Sequence, residues 1–520
     1  MKTLLIGFME AVLILTGASD PEELSSQVME KYEYYSLHPL NVNYAPSSKL
    51  LSCGLFTSYQ VATLLDYRSR SGAILSEKEL ALVDGFGENT ASALALFLSF
   101  EGELTDRSRR ISNSGVAKAD LTYAGAKYKF SYGDYGDAAA AFKTPYATPE
   151  KTTWTAYGAA YLRHWRIVAG DYNLRFGEGL ALWTGFSISS LSSIRAFYKG
   201  GSGLSPSWSF TGDGTLRGVA ASFDVSRLSV TGFVSFKDGL LVGANANYLF
   251  PLGQLGLTVT QERVSVDARA SLGSVYLFTE GVYDWRRRSW AAAGGSVFRA
   301  SAFSAAIRLR AIPSAFSGKK NGDYSAAAGL EYAPRKFKFL ATAEASLLPV
   351  PIKDPTRRSL KLLSITSWQP SELFLLTFRA ASTLKNYDVL HRTDLRLDAS
   401  VTPAPWSVSL RGNLVFSRTY GTLVYLDAGR KTELWSLFLR GTWFSADNWN
   451  DRLYCYERDA PGNFNVPAYY KSGIAVSALA GVTLKTRHLR IRTYLRTAAT
   501  FYYKHEKPDT WSIKLQLMID

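Results

Sequence analysis

The residues able to do chemistry are few and scattered. The five histidines, His38, His164, His391, His488 and His505, share no local ligand spacing with Cys, Asp or Glu. The two cysteines, Cys53 and Cys455, lie in neither a CxxC nor a metal-ligand spacing. They fall in stretches that read as different domains, so no disulfide between them is expected. GxSxG, HExxH and Walker-type motifs are absent. Gly177-Glu178-Gly179 has no strand–helix setting that would make it a phosphate loop. No catalytic residue, metal site or cofactor is expected, and an enzyme is disfavoured. The abundant reactive group is arginine, placed in step with apolar residues. Arg308, Arg310, Arg396, Arg411, Arg440, Arg490 and Arg492 each alternate with aliphatic neighbours, so they share the polar side of strands. Such a side must be wet. If it lines a lumen, these seven arginines make that lumen positive and favour anions.

The element that positions them is clearest over residues 389–418. Leu395, Leu397, Ala399 and Val401 alternate with Asp394, Arg396, Asp398 and Ser400. Pro403 and Pro405 break the run, because proline cannot donate to a sheet ladder. Trp406, Val408 and Leu410 then alternate with Ser407, Ser409 and Arg411. Each run has about the 9–11 residues that a tilted strand needs to cross a bilayer. Paired amphipathic runs of this kind recur from about residue 118 to the C-terminus. They end in Trp511, Ile513, Leu515, Leu517 and Ile519, without a terminal aromatic residue. The fold class expected is mainly β: a large antiparallel transmembrane β-barrel of roughly 18–22 strands. A small all-α domain would precede it. All twelve tryptophans lie at or after Trp154, several near strand ends, as aromatic girdles require.

Residues 1–18 read as a secretory signal, with Lys2, the apolar run LLIGFMEAVLIL and the small residues Thr16-Gly17-Ala18. No later stretch has the ~18 consecutive apolar residues of a membrane helix. Asp20-Pro21-Glu22-Glu23 reads as a helix start, with the helix running to about Tyr35. Residues 19–100 are expected to be a helical domain in the periplasm, 101–117 a polar connector and 118–520 the barrel. Residues 20–100 hold five basic and ten acidic residues, a net of −5, while the whole chain is +15. The first 19 residues contribute zero, so residues 101–520 carry +20. An acidic helical domain is a poor partner for phosphates.

The helical stretch carries Cys53-Gly54-Leu55-Phe56 and Asp84-Gly85-Phe86-Gly87 between helical runs. It resembles paired helix-hairpin-helix motifs, such as those of periplasmic DNA receptors in competence systems. That resemblance implies hairpin glycines that bring backbone N–H groups to a phosphate. The matching positions are Gly54, Gly85 and Gly87, with Phe56 where a second glycine of the first hairpin would stand. Two further stretches, Gly170–Phe186 and Asp451–Tyr470, complete a pattern covering nearly the whole chain. It resembles the helix-hairpin-helix domain-containing outer-membrane β-barrel proteins of Bacteroidota. The resemblance implies an outer-membrane location and contact with outer-membrane lipid and lipopolysaccharide, without assigning a chemistry. The charged residues to follow in the two stretches are Arg175, Glu178, Arg452, Glu457 and Arg458. A channel or a scaffold of an envelope assembly is expected, with an envelope protein docking on the helical domain in the second case. A DNA-uptake receptor is the alternative.

Overall fold

The computed structural model describes residues 7–101, 111–188, 190–225, 227–250, 252–319, 321–349, 356–486, 489–503 and 507–520. His488, His505, the first six residues and most of the expected connector lie outside them.

Twenty-four long strands form one closed antiparallel barrel. The last strand, Thr510–Ile519, pairs with the first, Ile111–Asp120, with Leu515 opposite Ala119 and Ile519 opposite Gly115. A four-residue strand, Gly203–Pro206, adds to the side of Trp165–Arg175. The barrel class is as the alternation implies, and the strand count is higher than roughly 18–22. Two strands account for the difference. Gly136–Pro145 is built on a run of alanines and shows no hydropathy alternation. Arg263–Leu272 follows a turn of two residues, Gln261-Glu262, neither of them glycine or proline, so nothing in the sequence marks the break. The first strand begins at Ile111, so the connector ends before it and not at 117.

Burial follows the two faces of the pleat. Leu397 and Leu439 are 48% and 54% exposed on the outside, while their neighbours Arg396 and Arg440 are 7% and 8% exposed inside. Trp165, Trp368, Trp406 and Trp435 stand exposed at strand ends. An apolar outer band with aromatic rims and a polar interior is the design of a barrel that spans a membrane. One end of the barrel has connections of two to five residues, and the chain enters and leaves there. The other end carries the two longest connections, over residues 176–215 and 447–470.

Among the described residues six α-helices precede the barrel: α1 (Phe8–Thr16), α2 (Ser26–Leu37), α3 (Ser47–Ser52), α4 (Ser58–Ser71), α5 (Glu77–Leu82) and α6 (Gly87–Leu94). The expected helix start at Asp20 is a short 3-10 turn, Pro21–Glu23, and α2 begins six residues later with Ser25 as its cap. The reason is competition: the Asp20 carboxylate is taken by arginines of the barrel wall, while the Ser25 hydroxyl is free to accept from the Val28 N–H. Thr57 and Gln60 form a reciprocal capping box at the start of α4. The helices share a core of Leu50, Leu64, Leu80, Leu94 and Phe97, tied off by a parallel pairing of Leu40–Asn41 with Leu98–Ser99. This unit does not stand apart from the barrel. Its side chains pair with inward-facing residues of the barrel, so it occupies the lumen.

The outer face yields a direct test. Leu439→Arg places a charge near the middle of a lipid-facing strand and should cost about 2–4 kcal/mol in lipid. Reversible unfolding of the reconstituted protein by urea would measure this.

Candidate functional site

The interior is organised by buried charge pairs between the helical unit and the wall. Glu22 pairs with Arg411 and approaches Arg396 at 3.7 Å, and it accepts the Tyr456 N–H at 2.9 Å. Asp20 pairs with Arg396 and lies 3.7 Å from Arg379. Farther along α2, Glu30 meets Lys127 at 3.0 Å and Glu33 meets Arg492 at 3.1 Å. Lys49 of α3 reverses the sense and meets Asp137 of the wall at 3.1 Å. Burial opposes the charged form of Glu22, but Arg411 and Arg396 outweigh it and hold this carboxyl well below the usual range. Asp20 is pushed up to about 7, first by burial and then by the adjacent Glu22 carboxylate, against the pull of Arg396.

Two connections fold inward to meet this unit. In the first, Glu178 pairs with Arg269 at 3.3 Å and accepts the Lys199 backbone N–H at 2.8 Å. Glu280 of the wall accepts the N–H groups of Leu180 and Ala181, both at 3.0 Å. The turn Ile194–Phe197 seats Phe197 on the wall at Gly329, where an added Cβ would lie 2.7 Å from the Phe197 ring. In the second connection, Glu457 pairs with Arg496 and accepts the Tyr469 hydroxyl, Arg458 pairs with Asp427 at 2.8 Å, and Asp459 with Lys514 at 2.8 Å. Leu453 and Cys455 are buried against Val415, Leu423 and Phe444. Both cysteines are buried and free.

What remains open is a cavity of about 4280 Å³ beside the helices. Its lining includes Ala302, Pro334, Lys336 and Leu373 from short turns at one end and Tyr387 from a connection at the other. The strands between supply Arg299, Arg308 and Arg310, and the first in-folded connection supplies Arg195 and Lys199. Arg308 is paired with Glu344 at 2.9 Å and Arg310 lies 3.7 Å from Asp323. Among the described residues, Arg195, Lys199 and Arg299 have no carboxylate partner. Arg195 lies 4.4 Å over the Tyr198 ring, and Arg299 donates to the Tyr198 hydroxyl at 3.1 Å. Burial, then Arg310, pulls the Lys199 amine down to about 8.

The sequence-named arginines thus have different fates. Arg396, Arg411, Arg440 and Arg492 are buried and engaged: Arg440 holds Asp427 at 2.9 Å and donates to the Tyr456 carbonyl. Arg490 shares the inward side with Arg492, and its backbone pairs with that of Asp520 at 3.0 Å. Arg308 and Arg310 line the cavity. Of the loop residues, Glu178, Glu457 and Arg458 are anchors. Arg175 donates to the Thr184 carbonyl at 3.3 Å, and Arg452 lies 4.6 Å over the Trp449 ring. The hairpin glycines adopt positive φ, at 69°, 85° and 67° for Gly54, Gly85 and Gly87. The Gly54 carbonyl accepts from Lys31 at 2.8 Å, and the Tyr59 ring closes over Gly85. Only Gly87 faces open space. Sequence reasoning missed Lys127, Lys129, Arg269 and Glu280. Lys127 and Lys129 alternate with Tyr128 and Phe130, so the inward signal was present.

No family model matches the chain, and no curated protein matches it. Several solved barrels are similar in outline. OccK5 (OpdH) of Pseudomonas aeruginosa is 8% identical, with a TM-score of 0.30 over 78% of this chain and 96% of that one. The FrpB iron transporter of Neisseria meningitidis is 7% identical, with a TM-score of 0.42 over 78% and 81%. The ferric-catecholate import receptor Fiu of E. coli K12 is 11% identical, with a TM-score of 0.41 over 78% and 81%. The barrel assignment rests on the strand pairing itself.

Two tests follow from the charge pairs. Arg411→Ala leaves Glu22 and Asp398 short of a buried partner, a loss of about 3–5 kcal/mol. Glu22→Gln in the same chain should recover part of it, read as protection of residues 20–37 in hydrogen exchange. Lys31 is pulled down to about 7 by burial first and by Arg175 second. The unfolded chain therefore binds more protons than the folded one between about 7 and the ordinary 10.5, and stability rises with pH across that window. Lys31→Met should flatten this rise.

Proposed function

We propose that this protein is an outer-membrane channel for small anionic solutes, partly filled by its own helical segment. The observation that carries the reading is the open cavity whose lining reaches both ends of the barrel. It is lined by Arg195, Lys199 and Arg299, without carboxylate partners among the described residues, and by Arg308 and Arg310, which have them. Unneutralised bases in a confined aqueous space raise the local anion concentration. Barrels of this kind keep short turns on the periplasmic side and long loops outside. On that rule the helical segment enters from the periplasm, and the connections over 176–215 and 447–470 descend from the cell surface to meet it. Residues 1–18 act as the export leader in this reading. Helix α1 lines part of the cavity, so its removal widens the passage. The outer face meets lipid and lipopolysaccharide.

A second reading, a scaffold that takes an envelope partner, is favoured by the second hairpin. Leu75 and Leu82 are 67% and 79% exposed there, among Glu77, Asp84 and Glu88. DNA uptake has weaker support: Gly54 and Gly85 are covered by the protein's own side chains, and the unit is acidic.

Planar-bilayer recording separates these. The channel reading expects the purified protein to conduct with anion preference, and Lys199→Glu with Arg299→Glu to weaken or reverse that preference. Deletion of residues 20–100 should raise conductance. Silence that ends on deletion would instead support a plug released by a partner, and silence in both forms would overturn the channel.

A further inference from the structure

The peptide that joins Ala18 to Ser19 lies in a built polar pocket. The Ser19 N–H donates to Glu23 Oε2 at 3.1 Å and to Ser192 Oγ at 3.3 Å. Glu23 also accepts from Ser190 Oγ at 2.7 Å and Ser192 Oγ at 2.5 Å. Ser193 Oγ donates to the Gly17 carbonyl at 2.5 Å. Three serines of one in-folded connection and one carboxylate thus converge on a single backbone junction. The Ser19 hydroxyl is buried there without a hydrogen-bond partner. The Arg195 stem packs on Gly17, but its guanidinium turns away to the Tyr198 ring.

Asp20, Glu22 and Asp398 share the guanidiniums of Arg379, Arg396 and Arg411. Glu23 has no cation within salt-bridge distance among the described residues. Glu23 is held by hydroxyl and N–H donors alone. A half-buried carboxylate held only by neutral donors is a ready partner for a nearby cation.

We propose that this cation is the α-ammonium of Ser19, created when the Ala18–Ser19 bond is hydrolysed and captured by Glu23, Ser190 and Ser192. The inference rests on the leader reading given above. Hydrolysis adds water across the bond: Ala18 takes the hydroxyl and leaves as a carboxylate, and the Ser19 nitrogen takes the protons. A leader endopeptidase must act before the barrel closes, because Ala18 is 6% exposed in the folded chain. Capture then fixes the first residue of the luminal segment to a connection that descends from the opposite end. Export processing then adds a charged contact at Glu23 to a plug that the pairs of Asp20, Glu22, Glu30 and Glu33 already seat.

The test uses full-length protein purified from membranes. Intact mass and terminal sequencing should give Ser19 as the first residue. Amine labelling at pH 7 should then be slow at Ser19, and Glu23→Gln should speed it about tenfold, the equivalent of one unit in the amine's pKa. Ser192→Ala, a milder change, should give a smaller increase in the same direction, which keeps the test valid if Glu23→Gln folds poorly. A Ser19 terminus that labels as fast in the native chain as in both variants would overturn the capture and leave the leader reading intact. A terminus elsewhere, or retention of residues 1–18, would overturn both, while the conductance experiment would stand on its own.

Discussion

The structure depends on the pairing of arginines inside a membrane-spanning barrel. A guanidinium on the inner face of a strand cannot be neutralised by losing its proton. It must find water or a carboxylate. Arg396, Arg411 and Arg492 find both carboxylates of the barrel chain and the acids of a segment 376 to 459 residues away. The same geometry explains why the helical segment is acidic and the barrel basic. Their charges of −5 and +20 describe two surfaces that face each other, not two proteins joined by a linker.

Apolar contacts refine this placement. Phe186, Ile188 and Phe464 of the in-folded connections pack on the helical core, so loops from one end cover helices that enter from the other. Phe197 seats against Gly329, where the wall has no side chain to displace it. Burying such anchors contributes roughly 1.5–3 kcal/mol for each large side chain. Charge selects the register, and these anchors remove water from around the pairs, which strengthens them.

The barrel was legible because its strands obey a period of two wherever one face meets lipid and the other meets polar groups. Leu437, Leu439 and Trp443 announce a strand unaided. Ala138–Ala141 do not, since alanine serves either face, and that strand escaped. The lumenal arginines were legible as inward residues, and so were Lys127 and Lys129 on the same logic. Their partners were not. The pairing of Glu22 with Arg411 spans 389 residues, and nothing local in either stretch marks the other. The helical unit has the hairpin layout of a free-standing domain, so its position inside the barrel had no signal except opposite charge. For the two long connections, unusual sequence marked them as special, but only the closed wall shows that Glu178 and Glu457 face inward to anchor them.

The division of the lumen follows from where the acids are spent. Lys127, Arg396, Arg411 and Arg492 border the cavity but are matched by acids of the helical segment. Arg308 and Arg310 of the wall share carboxylates, while Arg299 and, in the first in-folded connection, Arg195 and Lys199 have no carboxylate partner among the described residues. A barrel with uniform pairing would be solid, and one with no pairing would be a wide, strongly anion-attracting pore. Partial matching gives a narrower passage whose charge is set by the bases left over. On the channel reading proposed above, selectivity and the attachment of the helical segment draw on a single pool of inward-facing charge, and a substitution that adds an acid to one side changes the balance on the other.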